Sequence, residues 1–382
     1  MTTSAQIEPD RVEGAPHPRE TARLIGQGVA EAAFLDAYNS GRLHHAWLLT
    51  GPRGVGKATL AWVIARFLLA TPEAQEGGLF GEAPPAPDRL DIAEDHPVRA
   101  RIMALSEPGL FLLRRGGTGR DQDERDKNFV DGKIAADILV GEVRKLTRFL
   151  GLSAADGGRR VVIVDAADEM NTSAANALLK MLEEPPAKTT MLLISHQPSR
   201  LLPTIRSRCR ELRLKPLGQE DMAEALRQAG ADPGGRAAAL AEISGGSVGE
   251  AVRLINLGGM DTYAELVGLI GTAPRLDRPR ALKLAEKAAA RGGEAKLDLL
   301  IGLIELLLAR MARAGALGRA LPEAAEGEAA LFARLSPDAY RARKWAELAE
   351  ELGPRMRHGR AVNLDPAALI LDTILRISDS AG

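Results

Sequence analysis

The stretch Gly51-Pro52-Arg53-Gly54-Val55-Gly56-Lys57-Ala58-Thr59 carries the strongest chemical signal in the sequence. Glycines at this spacing let consecutive backbone N–H groups turn inward around a phosphate, a helix start adds partial positive charge, and Lys57 reaches the terminal phosphates. The bland reading is a glycine-rich turn with a chance Gly-Lys pair; a strand before it and a helix after it are the context the motif requires. A working P-loop also needs a hydroxyl directly after the lysine to hold Mg²⁺, and here stands Ala58. Thr59 brings a hydroxyl one residue late. Successive helical residues are turned by about 100°, so Thr59 is not expected to replace the missing ligand; a water tolerated in its place is the competing reading.

Arg160-Val-Val-Ile-Val-Asp165 ends in a carboxylate at the C-terminal edge of a strand, where a second acid on the Mg²⁺ side belongs. Many strands end in Asp, so Asp165 gains weight only beside the P-loop. Where ATPases that activate water carry a Glu after this Asp, the chain has Ala166. Asp168 and Glu169 lie past the strand's end and are expected to solvate the following loop. From Arg206 to Lys215 there are five bases and one acid. They read either as a solvated strand edge or as an arginine finger offered to a phosphate on a neighbouring molecule. Cys209, the sole cysteine, excludes an internal disulfide and any Cys-based metal site. It reads as a small packed residue, since His44 and His45 precede the P-loop strand and no histidine is placed as its base. His17, His96, His196 and His358 are scattered without metal-ligand spacing.

The elements that must position these groups follow from periodicity. Length, 382 residues, suggests two or three domains, and 45% hydrophobic residues with 26% charged ones exclude a chain disordered throughout. Residues 1–18 are expected to be a disordered tail. A helix through Val29, Ala33, Leu35 and Tyr38 leads to a strand at Ala46–Leu49, the glycine turn, and a helix from Ala58 to Ala70. Residues 72–95 hold four prolines, three glycines and seven acids against one arginine, the mark of an insertion placed at about 71–133. Leu110–Leu113 reads as a strand and 116–128 as a loop. Ile134, Ile138, Val143, Leu146, Phe149 and Leu150 recur at helical spacing. Val161–Val164, Met191–Ile194 and Glu211–Leu214 read as strands, with a helix over Ser173–Leu182 stopped by Pro185 and Pro186. Strands alternating with helices predict a parallel α/β sheet over residues 19–216, followed by strand-free helical regions at 217–258 and 259–382.

A formal charge of −1 and 3% aromatic residues argue against a nucleic-acid binder by bulk charge or by base stacking. Arginines 341, 343, 355, 357 and 360 read as surface solubility rather than a DNA contact. No apolar run approaches the about 20 residues of a membrane span, and the first twenty residues lack a secretory h-region, so a cytoplasmic location is the default expectation.

Together, GPRGVGKAT, the segment from Arg159 through NALLKMLEEPP, ending at Pro186, and MLLISHQPSRLLPTIRSRCREL resemble the bacterial clamp-loader family of AAA+ proteins. Asn176–Pro186 and Ser207-Arg208-Cys209 are specific to that family, and the resemblance covers about residues 19–258. It implies an AAA+ α/β domain, a helical lid and an all-α collar domain of a hetero-pentamer. It implies as partners gamma/tau and delta clamp-loader subunits, the sliding clamp and, through the complex, primer-template DNA. It marks Arg208 as an arginine finger acting in trans, and Gly51, Gly54, Gly56, Lys57, Thr59 and Asp165 as a degenerate nucleotide site. Motor subunits of the family have Thr or Ser at the position of Ala58, Glu at that of Ala166 and Arg at that of Gly249. Three positions degraded together beside an intact Arg208 resemble the family's non-hydrolysing stator subunit within a DNA polymerase III holoenzyme, a DNA-directed DNA polymerase. No cofactor is then required, ATP or ADP binding without hydrolysis stays open, and no zinc is expected, because residues 71–133 lack the four cysteines of zinc-binding relatives. The alternatives are an active gamma/tau-type motor using Thr59 and Glu169, and a DNA-binding adaptor using residues 206–215.

Overall fold

The computed structural model describes residues 8, 11–21, 23–71, 86–151, 158–290 and 292–382. The chain divides into two compact units. The first runs to Leu217, with short returns at Gln228–Gly230 and Ser247–Gly249; the second holds Gly218–Arg227, Ala231–Gly246 and Glu250–Gly382.

In the first unit, α1 (Gly28–Asn39) leads to β1 (Ala46–Thr50) and α2 (Lys57–Ala70), and then α3 (Pro97–Met103) to β2 (Leu110–Arg114). There follow α4 (Gln122–Val130), α5 (Val140–Gly151), β3 (Arg160–Asp165), α6 (Thr172–Glu183), β4 (Thr189–Ile194), α7 (Pro203–Arg206) and β5 (Arg210–Arg213). The strands form one sheet in the order β2-β3-β4-β1-β5, parallel throughout, with Trp47 in register with Leu192 on one side and Arg210 on the other. Continuous apolar runs make β1 and β4 buried at every residue, as a sheet covered on both faces requires. All five strands, β3, β4 and β1 at the centre and β2 and β5 at the edges, match the expected strands to within two residues.

Every residue of α2 from Leu60 to Leu68 is buried, which a helix apolar on all sides demands. One side of it is closed by the N-terminal segment. His17 is fully buried and sits edge-on to Trp62 at 5.8 Å, and Arg66 donates to the carbonyls of Arg19 (2.7 Å) and Thr21 (3.2 Å). Burial pushes the Arg66 guanidinium down to about 10, and those two carbonyls are its compensation. The tail expected to be disordered through residue 18 is therefore packed at residues 15–18, while residues 11–14 are exposed; its remaining residues, apart from Glu8, lie outside the described ones.

The expected insertion at 71–133 holds the expected strand as β2, which completes the sheet by pairing with β3. It differs from expectation in α4, which stands where a loop was expected at 116–128. Asp121 caps α4 by accepting from the Glu124 N–H at 2.9 Å, a local signal that the high charge of the segment hides. Residues 72–85, the proline-rich part, lie outside the described residues.

The second unit is helical throughout its described residues: α8 (Gln219–Gln228), α9 (Ala237–Ile243), α10 (Val248–Leu257), α11 (Gly259–Ile270), α12 (Arg278–Ala288), α13 (Glu294–Leu317), α14 (Glu328–Leu335), α15 (Ala339–Ala361) and α16 (Pro366–Ser380). Residues from the expected lid and the expected collar cluster together here. Leu299, Leu300, Leu303, Ile304 and Leu307 of α13, and Leu369, Ile370, Ile374 and Ile377 of α16, are at most 6% exposed. They form the unit's own core rather than an open apolar face. Four of the five terminal arginines named above are engaged inside the same unit. Arg355 pairs with Asp372 at 2.9 Å, Arg357 with Glu305 and Arg360 with Asp298, while Arg341 donates to the carbonyls of Ala381 and Gly382. No helix among the described residues is long and apolar enough to cross a membrane.

Candidate functional site

β1 delivers the chain to the glycine turn at the C-terminal edge of the sheet, where open α/β sheets bind ligands. Gly51 has φ +137°, and a Cβ there would stand 2.5 Å from the Leu214 carbonyl oxygen, so only glycine fits. Gly54 (φ +78°) has its Cα side closed by the Ser247 hydroxyl and the Gly249 backbone, and the Gly249 N–H donates to the Gly54 carbonyl at 3.2 Å. Gly56, left-handed at φ +101°, starts α2. Gln27, only 4% exposed, pins the loop from outside. Its amide donates to the carbonyls of Val55 (3.2 Å) and Lys215 (2.7 Å) and accepts from the Lys215 N–H (3.1 Å).

Lys57 is 2% exposed, and its ammonium donates to the carbonyls of Gly51 (2.7 Å) and Pro52 (2.5 Å). Burial pushes it down to about 8, against the opposing pull of Asp168 and Asp165. Asp168 is not in a solvated loop. It is buried and accepts from the backbone N–H groups of His196 (3.0 Å) and Gln197 (3.1 Å), tying the end of β3 to the end of β4. Beside it the His196 imidazole is driven down to about 4, by burial first and then by the Lys57 charge, and is neutral at pH 7. The His196 Nδ1 and the Ser195 hydroxyl are buried with no hydrogen-bond partner among the described residues. Glu169 is occupied by Arg115 at 3.0 Å.

Gly51, Gly54, Gly56 and Lys57 form one turn, Asp165 stands close enough to act on the Lys57 charge, and Asp168, His196 and Gln27 are neighbours that periodicity did not reveal. Their signal was available in the rule that loops after adjacent parallel strands share one crevice, but strand adjacency itself is not written in the sequence. The turn fits a phosphate group. It lacks the oxygen that Mg²⁺ takes from the residue after the lysine, because Ala58 has none, and Thr59 lies one residue further along α2.

Arg208 sits elsewhere. It follows α7, is 35% exposed, and donates to the Thr204 carbonyl (3.0 Å) and to Glu183 (2.8 Å) at the end of α6. The neighbouring bases lie on an edge strand: Arg210 stacks over Trp47 at 5.0 Å, and three of the four residues of β5 are exposed. Cys209 packs against the core cluster of α6 and α7, and burial pushes its thiol up to about 12. The reactive thiolate is then scarce at pH 8. Iodoacetamide at pH 8 is expected to spare the folded chain while labelling the urea-unfolded one, with mass spectrometry as the readout; equal labelling rates would place this thiol in open solvent.

A glycine turn ending in a buried lysine, beside the central strands of a five-stranded parallel sheet in a chain that continues into helices, defines an α/β protein with a P-loop-type turn. A family model described as DNA polymerase III, delta subunit, matches residues 26–218, and the chain belongs to that family. It is 38% identical over 226 residues to DNA polymerase III subunit delta' of Pseudomonas aeruginosa, covering 58% of this chain and 59% of that one. It is 32% identical over 225 residues to subunit delta' of Escherichia coli, at 55% and 57% coverage. With DNA polymerase III subunit gamma/tau of Mycobacterium tuberculosis it shares 30% identity over 197 residues, at 50% and 28% coverage. The chain thus spans less than two thirds of the length of these relatives.

Proposed function

We propose that the chain is a non-hydrolysing subunit of the DNA polymerase III clamp loader, of the delta' type. It works with gamma/tau and delta subunits in a hetero-pentamer that loads the sliding clamp onto primed DNA. Its own P-loop serves as a structural or nucleotide-holding site, and Arg208 reaches an ATP bound by a neighbouring gamma/tau-type subunit. The observation that carries this reading is a contrast between two sites in one unit. The P-loop lysine is turned onto its own loop's carbonyls beside Ala58 and Ala166, while Arg208 keeps a partly exposed guanidinium.

Hydrolysis needs a metal ligand and a group that positions water. Ala58 and Ala166 supply neither, and Glu169, the displaced substitute that a motor reading requires, is held by Arg115. The purified chain with Mg²⁺ and ATP is expected to release phosphate at no more than the background rate, with Lys57→Ala no slower. Vigorous Mg²⁺-dependent turnover abolished by Lys57→Ala would establish the motor reading instead. Steep loss of duplex affinity with added salt, shown by the chain alone, would favour the adaptor.

A further inference from the structure

Arg208 and Glu183 are brought together by two elements anchored in one core. Glu183 is the last residue of α6 and follows Leu182, which is 2% exposed. Arg208 comes three residues after Ile205 of α7, which is fully buried, and both apolar anchors belong to the same cluster. The backbones under the two charged groups are therefore fixed, and only their side chains reach solvent, the arginine at 35% and the glutamate at 48% exposure.

Resting on the reading of Arg208 as a group that acts in trans, we propose that Glu183 is its positioning residue. The carboxylate holds the guanidinium in the orientation from which it meets a partner's phosphate. A guanidinium has five N–H donors. One NH1 hydrogen goes to the Thr204 carbonyl and one NH2 hydrogen to Glu183, so two donors define the plane of the group and three stay available for bidentate phosphate contact. The end of a helix carries partial negative charge, which favours a cation beside Glu183.

An exposed pair of this kind is weak. It suffices to select a side-chain rotamer and does not compete with a triphosphate for the cation. Glu183 thus orients Arg208 and is no brake on it.

The test uses the full complex: this chain, its gamma/tau-type and delta-type partners, the clamp and primed DNA, with steady-state ATP hydrolysis as the readout. Glu183→Gln is expected to lower kcat by about 2- to 5-fold, the scale of an exposed ion pair, with KM for ATP unchanged. Glu183→Asp, which keeps the charge, recovers part of the loss, and Glu184→Gln next to it has no effect. In an Arg208→Ala background, Glu183→Gln causes no further loss. A normal or raised kcat in Glu183→Gln overturns the proposal, as does an equal loss with and without Arg208, while both leave the trans reading standing. If Arg208→Ala itself leaves the rate unchanged, that reading falls and the positioning role falls with it.

Discussion

Arg208→Ala, assembled with its partner subunits on primed DNA, is expected to lower DNA-stimulated ATP hydrolysis by up to ~10³-fold, the lower end of the range for a removed arginine finger. That loss corresponds to about 4 kcal/mol of transition-state stabilisation. The chain's own stability should hardly change. The side chain is 35% exposed and its ion pair with Glu183 is a surface pair, so truncation is expected to cost folding no more than about 0.5 kcal/mol. Arg208→Lys is expected to fall between the two, because a lysine supplies a point charge without the planar fork that grips a phosphate on two oxygens. Phosphate release by the complex, compared with clamp loading on the same DNA, checks the prediction. An unimpaired rate in a fully assembled complex removes the finger from the mechanism.

The second large effect lies in the helical unit. Arg310 of α13, 7% exposed, donates through Nε to Glu328 Oε1 (2.8 Å) and through NH2 to Glu328 Oε2 (3.1 Å) and the Pro322 carbonyl (2.7 Å). Its NH1 reaches Glu242 of α9 at 3.3 Å. Glu328, fully buried, also accepts from the Tyr263 hydroxyl and from the Ala324 N–H at 2.7 Å. Burial, with the Glu328 charge beside it, pushes the Tyr263 phenol up, which keeps it a donor at every physiological pH. All members of this network are satisfied, and that is what makes it tolerable in a core.

Arg310→Ala leaves the Glu328 carboxylate buried without its cation and is expected to cost about 3–5 kcal/mol. Urea unfolding, with hydrogen exchange in α13 and α14 to assign the loss to this unit, measures it. Arg310→Met combined with Glu328→Leu is expected to be less damaging than Arg310→Ala, since no charge is then stranded, although the Tyr263 hydroxyl still loses its acceptor at a cost of about 1–3 kcal/mol. A loss below about 1 kcal/mol for Arg310→Ala would mean that water reaches Glu328, contrary to its burial.

Local pattern alone determined a good deal of this protein. The glycine turn with Lys57, the apolar runs of β3 and β4, the helix of α6 closed by Pro185 and Pro186, and the helical character of the described residues after 217 all follow from neighbours within about a dozen residues. Such neighbours set backbone propensity and the period of burial. So do Ala58 and Ala166, because a missing oxygen is legible without any coordinates.

Other features were decided only when distant segments met. His17 looks like a polar tail residue until Trp62 of α2 needs covering. Asp168 reads as a solvated acid until β4 lies beside β3 and offers it two N–H groups. Glu183, Arg208, Arg310 and Glu328 are ordinary surface types whose roles depend on which group stands opposite. Their burial and pairing arise between residues 18 to 68 positions apart. Periodicity reports which face of an element is apolar; it carries no record of which polar group will be desolvated, or of the partner that makes that desolvation bearable.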